Sequence, residues 1–165
     1  MNFMHTAFIG LGSNLDDPRE QLLHALRMLA SLPHTRVLAS SSFYRSAPIG
    51  YLEQPDFINA VAQLETTLSP RALLDVLLGL EQECGRTREF RNSPRTLDLD
   101  VLLYDDLRHH EHSLTIPHPQ MHLRAFVLHP LLEIAPDCII PGVGAVAEVL
   151  LGCQQQQLER IIDVV

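Results

Sequence analysis

The sequence predicts an α+β fold, a mostly antiparallel sheet with helices packed on it, and three observations carry the prediction. Some segments alternate apolar with polar residues, others repeat apolar residues at helical spacing, and the two kinds interleave along the chain. At 165 residues, 46% of them hydrophobic, the chain has the size of one domain around a single core, with no internal repeat or linker in residues 1–165.

The elements follow in order. Ala7 to Gly12 is a short apolar run entering Gly12-Ser13-Asn14, which reads as a buried strand meeting a turn. Asp17, Pro18 and Glu20 have the spacing of a capping box, and Leu22, Leu23, Leu26, Leu29 and Ala30 continue as a helix until Pro33. Val37 to Tyr44 reads as one strand, and Ser46 to Pro55, with its prolines and glycine, as a long loop. From Phe57 to Thr67, Ile58, Ala60, Ala62 and Leu64 alternate with Asn59, Gln63 and Glu65, a half-buried strand. Ser69-Pro70 opens a second helix, with Gly85 as its C-terminal cap. Leu97, Leu99, Val101 and Leu103 then share one face of a strand, and Asp98 and Asp100 point from the other. Leu123 to Ala135 reads as a short helix around Pro130 and Val143 to Leu151 as a last one, while Gln154 to Gln157 carries no signal. The order strand, helix, strand, strand, helix, strand is that of a ferredoxin-like sandwich, a topology that by itself decides no function.

Composition removes several classes of function. All twelve basic residues are arginine, so chemistry that needs a lysine amine, from Schiff bases to Walker loops, is excluded. A net charge of −8 disfavours nucleic acid and anionic membranes as partners, and any anionic ligand must be met locally. The chain has neither a long apolar span nor the order of a signal peptide at Met1 to Thr6, which predicts a cytoplasmic protein. Cys84, Cys138 and Cys153 are widely spaced and predict reduced thiols rather than zinc or redox work.

Asp98 and Asp100 carry the chemistry. Carboxylates at i and i+2 of a strand project together from Cα atoms about 7 Å apart. Magnesium needs only one or two protein carboxylates and completes its shell with substrate phosphates, so the pair suits a Mg-nucleotide, and a two-metal clamp fits the spacing. An isolated Asp-x-Asp is usually a solvated acidic face. Here Arg86, Arg88, Arg91 and Arg95 precede it within ten positions, a local source of guanidinium forks for phosphate oxygens. Paired only with Glu81, Glu83 and Glu89 on a surface, the same arginines would contribute at most about 1 kcal/mol each. Gly10-Leu11-Gly12 lacks the third glycine of a dinucleotide fingerprint, and His109, His110 and His112 read as solvated loop residues.

Pro94-Arg95-Thr96-Leu97-Asp98-Leu99-Asp100 resembles the signature of the 6-hydroxymethyl-7,8-dihydropterin pyrophosphokinases of folate biosynthesis. Gly12-Ser13-Asn14, Ser42 to Arg45, Gln54 to Asn59, Gly85 to Arg88 and Ile116-Pro117-His118 to Phe126 match further segments of that family in order. The resemblance implies transfer of a diphosphate from MgATP to a pterin alcohol, with Asp98 and Asp100 as ligands of two magnesium ions. It implies that Arg86 and Arg95 stabilise the transferring group and that Asp98 assists deprotonation of the alcohol. Glu81, Arg88, Val101, Thr115 and His118 fall where the family contacts ATP. On the pterin side Phe57 and Phe126 would sandwich the ring and Asn59 would hydrogen-bond its edge. The backbone of Ser46, Ala47 and Ile49 would complete that pocket, with Arg124 at its far rim.

The chain departs from the family pattern in places. Its Glu89 to Ser93 loop is a residue shorter than in the best-known members, and Asn92-Ser93 replaces a Trp-Gly pair in a chain without tryptophan. Ala47 and Pro119 stand where many members carry proline and tyrosine, and Leu78 replaces a polar residue on the adenine side. The expectation is a monomeric enzyme acting on ATP and the pterin alcohol. A second class is a nucleotide-binding paralogue that kept the fold and lost turnover. A third is a two-metal nucleotidyl transferase or nuclease, which the acidic charge disfavours.

Overall fold

The computed structural model describes residues 4–15, 17–48, 52–84 and 97–162. Its central sheet is antiparallel throughout and runs β10 (Leu158–Ile161), β3 (Phe43–Ser46), β4 (Phe57–Thr66), β1 (His5–Ser13), β5 (Asp98–Tyr104), with β2 (Thr35–Ser40) also on β4. Helices α1 (Pro18–Ala30) and α2 (Pro70–Glu83) connect β1 to β2 and β4 to β5. This is the ferredoxin-like arrangement the element order predicts, with its second strand divided and one strand added at the edge.

The two faces of the sheet are covered differently. Ile9, Leu11, Ala60, Ala62, Leu64, Leu99 and Val101 turn toward α1 and α2, where Leu22, Leu29, Leu73 and Leu77 are fully buried. Each such leucine stabilises the packing by roughly 1.5–3 kcal/mol relative to exposure. The opposite face carries Phe8 and Val61, covered by α3 (Ala125–Ile134) and by the one-turn helix α4 (Val146–Val149) with the 3-10 turn that follows it. Gly12, Asn59 and Asp98 lie on this second face, which positions the candidate site.

Several local expectations change. Val37 to Tyr44 is two strands, because at Ser41 the chain leaves β2 while still bonded to β4. Ser41 N–H donates to Val61 O at 2.9 Å, and Val61 N–H donates to Ser41 Oγ at 2.9 Å, so the side chain replaces a ladder partner. The capping box does not form. Asp17 is left-handed at φ 59 and its side chain accepts no cap bond, leaving its carbonyl to receive Gln21 N–H at 3.1 Å. Leu23 and Ala30 face solvent, and Ala25 takes the buried position. Ser69 does cap α2, its Oγ accepting Ala72 N–H at 3.2 Å, whereas the Gly85 cap lies outside the described residues.

Leu103 does not share the face of Leu99 and Val101. The β1 register steps from Phe8↔Leu103 to Ile9↔Val101, leaving Leu102 as a bulge, so Leu102 and Leu103 both pack on the α3 side. Gly10 accommodates this: a Cβ there would lie 3.3 Å from Leu102 Cδ2. The final predicted helix shrinks to α4 and the 3-10 turn, and the glutamine run acquires a role. Gln156 Oε1 accepts Ala125 N–H at 2.9 Å and Gln156 Nε2 donates to Leu123 O at 2.7 Å, capping α3 from a distant segment. Two small hairpins complete the chain, β6 (His109–His110) with β7 (Thr115–Ile116), and β8 (Ile139–Ile140) with β9 (Gly144–Ala145). Among the described residues no helix is long and apolar enough to cross a membrane.

Candidate active site

The site is built on a row of residues that crosses the sheet. Tyr44 pairs with Asn59, Asn59 with Gly12, and Gly12 with Asp98; one step along, Gly10 pairs with Asp100. Directly opposed residues of antiparallel strands share a face, so both carboxylates and Asn59 stand on the side away from α1 and α2. Asn59 and Asp98 are two strand spacings apart, about 10 Å. The residue between them has no side chain. A Cβ on Gly12 would lie 3.4 Å from Asn59 Oδ1 and 4.0 Å from Phe57 Cδ1, so the floor borders the asparagine and the aromatic ring together.

Asn59 is buried, and its amide nitrogen donates to Ser46 Oγ at 2.7 Å and to Tyr44 O at 3.3 Å. With the nitrogen so engaged, Oδ1 is the atom turned toward Gly12, an acceptor for a ring edge. Asn14, also buried, donates from Nδ2 to Gln54 Oε1 at 2.8 Å and to Pro55 O at 3.1 Å. It ties the segment leading into Phe57 to the end of β1, a function its place in a Gly-Ser-Asn motif did not disclose.

Asp98 and Asp100 are half-buried on β5, each opposite a glycine, so no β1 side chain stands over them. Two hard oxygen donors, with one residue between them on one strand, fit a divalent ion that shares its shell with phosphates. Among the described residues no group of three or more His, Cys, Asp and Glu side chains could hold a metal. Glu81 lies beneath β5, 2% exposed, and its Oε2 accepts Leu99 N–H at 2.8 Å between the two aspartates. That contact locks the strand carrying them to α2.

The Leu102 bulge ties in the next segment, since Leu102 O accepts His118 N–H at 2.9 Å. His118 Nδ1 accepts Gln120 N–H at 3.1 Å, which leaves Nε2 to carry the proton of the neutral ring. Burial, then the nearby Arg124 charge, push the His118 pKa down to about 4 against the opposing pull of Asp98. The imidazole is therefore neutral at ordinary pH beside a carboxylate and a guanidinium. Arg124 itself stands 5.5 Å from the centroid of the half-buried Phe126 ring, a cation–π contact at the start of α3.

The remaining sequence-predicted residues divide into four groups. Ser46 is buried on Asn59 and Ala47 is exposed beside it, both at the Asn59 end of the row. Thr115 and His118 line a cleft of about 370 Å³ between the β6–β7 hairpin and residues Ile140 to Val143. Val101 is 5% exposed among the residues facing α2, so its side chain points away from the aspartates and only its main chain remains for a ligand. Arg86, Arg88, Arg95 and Ile49 lie outside the described residues. His109 bonds Glu111, and Glu111 is held below the usual carboxylate range first by that bond and then by Arg71 at 2.7 Å. The three cysteines are free, their thiols pushed up by burial.

A profile of the family described as 7,8-dihydro-6-hydroxymethylpterin-pyrophosphokinase matches residues 8–136. The 2-amino-4-hydroxy-6-hydroxymethyldihydropteridine pyrophosphokinase of Haemophilus influenzae is 50% identical over 147 residues, covering 89% of this chain and 92% of the relative. The enzyme of the same name from Pseudomonas aeruginosa is 46% identical over 154 residues, covering 93% and 95%. Among solved structures, wild-type Plasmodium falciparum HPPK-DHPS with pterin and p-hydroxybenzoate superposes with a TM-score of 0.69 at 14% identity, over 97% of this chain and 45% of that one. That likeness speaks to the fold, and the chain spans under half of the solved protein.

Proposed function

We infer the reaction from one premise: the chain belongs to the 7,8-dihydro-6-hydroxymethylpterin-pyrophosphokinase family. It is a pyrophosphokinase of folate biosynthesis, transferring diphosphate from ATP to the hydroxymethyl group of 6-hydroxymethyl-7,8-dihydropterin and releasing AMP. The observation that supports this assignment best is the row Asn59–Gly12–Asp98, a ring-edge acceptor and a metal-type carboxylate about 10 Å apart across a floor without a side chain. A flat two-ring heterocycle laid on Gly12 would meet Asn59 at one edge and extend its hydroxymethyl arm toward Asp98.

The residue roles combine that pose with the family resemblance. Phe57, whose ring borders the floor, and Phe126 are assigned to the two faces of the heterocycle, with Arg124 at the rim. Ser46 orients Asn59, and the main chain of Ala47 and Ile49 is assigned to the same pocket. Asp98 and Asp100 are assigned as ligands of two magnesium ions, which when bound with ATP would neutralise phosphate charge and lower the pKa of a coordinated hydroxyl. Glu81 holds their strand. Neutral His118 offers its Nε2 proton to an ATP oxygen, and Thr115 and Val101 flank the nucleotide. Arg86, Arg88 and Arg95 are assigned to the phosphates on sequence resemblance, as forks that stabilise charge on the group in flight. The alcohol oxygen attacks the β-phosphorus in line with the departing AMP, its proton passing toward Asp98. Positioning and charge neutralisation supply most of the acceleration. The reading includes a monomer acting in the cytoplasm.

The test is product analysis. Incubated with MgATP and the pterin alcohol, the protein should give AMP and pterin diphosphate in equal amounts. ADP as the nucleotide product, or nucleotide turnover indifferent to the pterin, would overturn the reaction. Light scattering tests the monomer.

A further inference from the structure

The row that forms the site continues outward to a cluster that the reaction does not use. β10 places Arg160 opposite Tyr44, so Arg160, Tyr44, Asn59, Gly12 and Asp98 form one line across five strands. Above its outer end stands Glu133 of α3. Tyr44 Oη donates to Glu133 Oε1 at 2.6 Å, and Ser42 donates to Oε2 from its N–H at 2.9 Å and from its hydroxyl at 3.1 Å. Arg160 donates to Ser42 Oγ from Nε at 3.1 Å and from Nη2 at 2.8 Å, and its Nη2 lies 3.8 Å from Glu133 Oε2. His129 stacks on Tyr44 with centroids 6.4 Å apart and 25° between planes.

The connection to the site is geometric. Phe126, His129 and Glu133 occupy positions i, i+3 and i+7 of α3, one stripe along the helix. Two members of that stripe engage Tyr44, and the third is the pterin-facing aromatic. Tyr44 in turn neighbours Asn59 on the sheet and accepts its amide at the main chain. On the pterin reading Phe126 covers the Asn59–Gly12 floor, and the helix that carries it is anchored one strand away, where Glu133 meets Tyr44.

We propose that Glu133 is a positioning residue for the pterin: by gripping Tyr44 and Ser42 it fixes the distance of Phe126 from the ring-binding floor. The proposal rests on the pterin reading, and wild-type turnover serves as the separate check on that reading.

The experiment measures KM for the pterin alcohol, KM for ATP, kcat and Tm in Glu133→Ala, Glu133→Gln, Tyr44→Phe and the double variant Tyr44→Phe/Glu133→Ala. Glu133→Ala should raise the pterin KM about tenfold, the scale of a lost hydrogen bond to a charged group, with the ATP KM within about twofold. Glu133→Gln keeps an oxygen acceptor for the tyrosine and should restore most of the affinity. Tyr44→Phe, which removes one hydroxyl and keeps the ring, should share the selective effect, and the double variant should add little to Glu133→Ala. An unchanged pterin KM in both single variants, equal losses for ATP and pterin, or Gln no better than Ala would overturn the proposal. Wild type failing to make AMP would overturn the reading beneath it instead.

Discussion

Removing Glu81 should loosen the strand that carries the aspartates, by an amount the structure allows to be worked out. In Glu81→Ala the Leu99 N–H loses its buried acceptor at 2.8 Å, and β5 is an edge strand with β1 on its other side. An orphaned buried donor costs about 1–3 kcal/mol. One lost methylene adds roughly 0.8 kcal/mol of packing, offset in part because a carboxylate no longer has to be desolvated. The net is about 1–3 kcal/mol, which in a domain of this size lowers Tm by roughly 2–12 °C. Glu81→Gln keeps an acceptor oxygen and should lose less than about 1.5 kcal/mol. Urea titration gives the stabilities, and amide hydrogen exchange reads Leu99 directly, where protection should fall in Ala and persist in Gln. An alanine variant within about 0.5 kcal/mol of wild type, with Leu99 still protected, would refute the argument.

Other outcomes follow from the same geometry. Asp98→Asn and Asp100→Asn should each lower kcat at least about a thousandfold while Tm stays near wild type, because a metal-type donor is lost without disturbing the core; full turnover in either variant removes the metal assignment. Asn14→Ala frees the Gln54 and Pro55 tether, and should raise the pterin KM more than the ATP KM while costing about 1–2 kcal/mol in urea. Tyr44 has its pKa raised from 10.0 to about 12, by burial first and then by the Glu133 bond. A raised pKa contributes stability that is complete below pH 10 and lost as pH climbs through about 12. Alkaline denaturation should show that loss in wild type and not in Tyr44→Phe. Burial raises Glu133, but the bonds from Tyr44 and Ser42 outweigh it and hold the carboxyl below 4.5, so its contribution is lost in acid as pH falls through the depressed pKa. Glu133→Gln should flatten that acid limb.

Periodicity made the central elements legible. Ile58, Ala60, Ala62 and Leu64 alternate because one face of β4 is sealed by α1 and α2, whereas Asn59 falls in the polar alternation and draws its site role from the family resemblance alone. Asp98 and Asp100 are legible from the same kind of alternation. What sequence reading missed depends on partners far along the chain. Ser41 ends one strand and starts the next through a bond to Val61, the edge strand β10 exists because β3 offers it unpaired backbone, and Gln156 caps a helix thirty positions away. No local pattern announces such pairings, and Leu158 to Ile161 is too short and too exposed to alternate visibly.

The bulge at Leu102 shows how one irregularity serves both the fold and the site. Strict alternation along β5 would put Leu103 on the helix side with Leu99 and Val101, which is what the spacing of its leucines suggests. The extra residue instead turns two consecutive leucines into the α3 core. It also strengthens local twist and leaves Leu102 O to accept His118 N–H, at the end of the strand where the aspartates no longer need to be in register. Upstream of the bulge the strict period keeps both carboxylates on the face away from α1 and α2. Downstream the broken period closes that face with leucine and fastens the His118 segment beside Asp98. Gly10, between the aspartate rows and the bulge, permits both, since it leaves Asp100 without an opposing side chain and gives Leu102 the space to fold over β1.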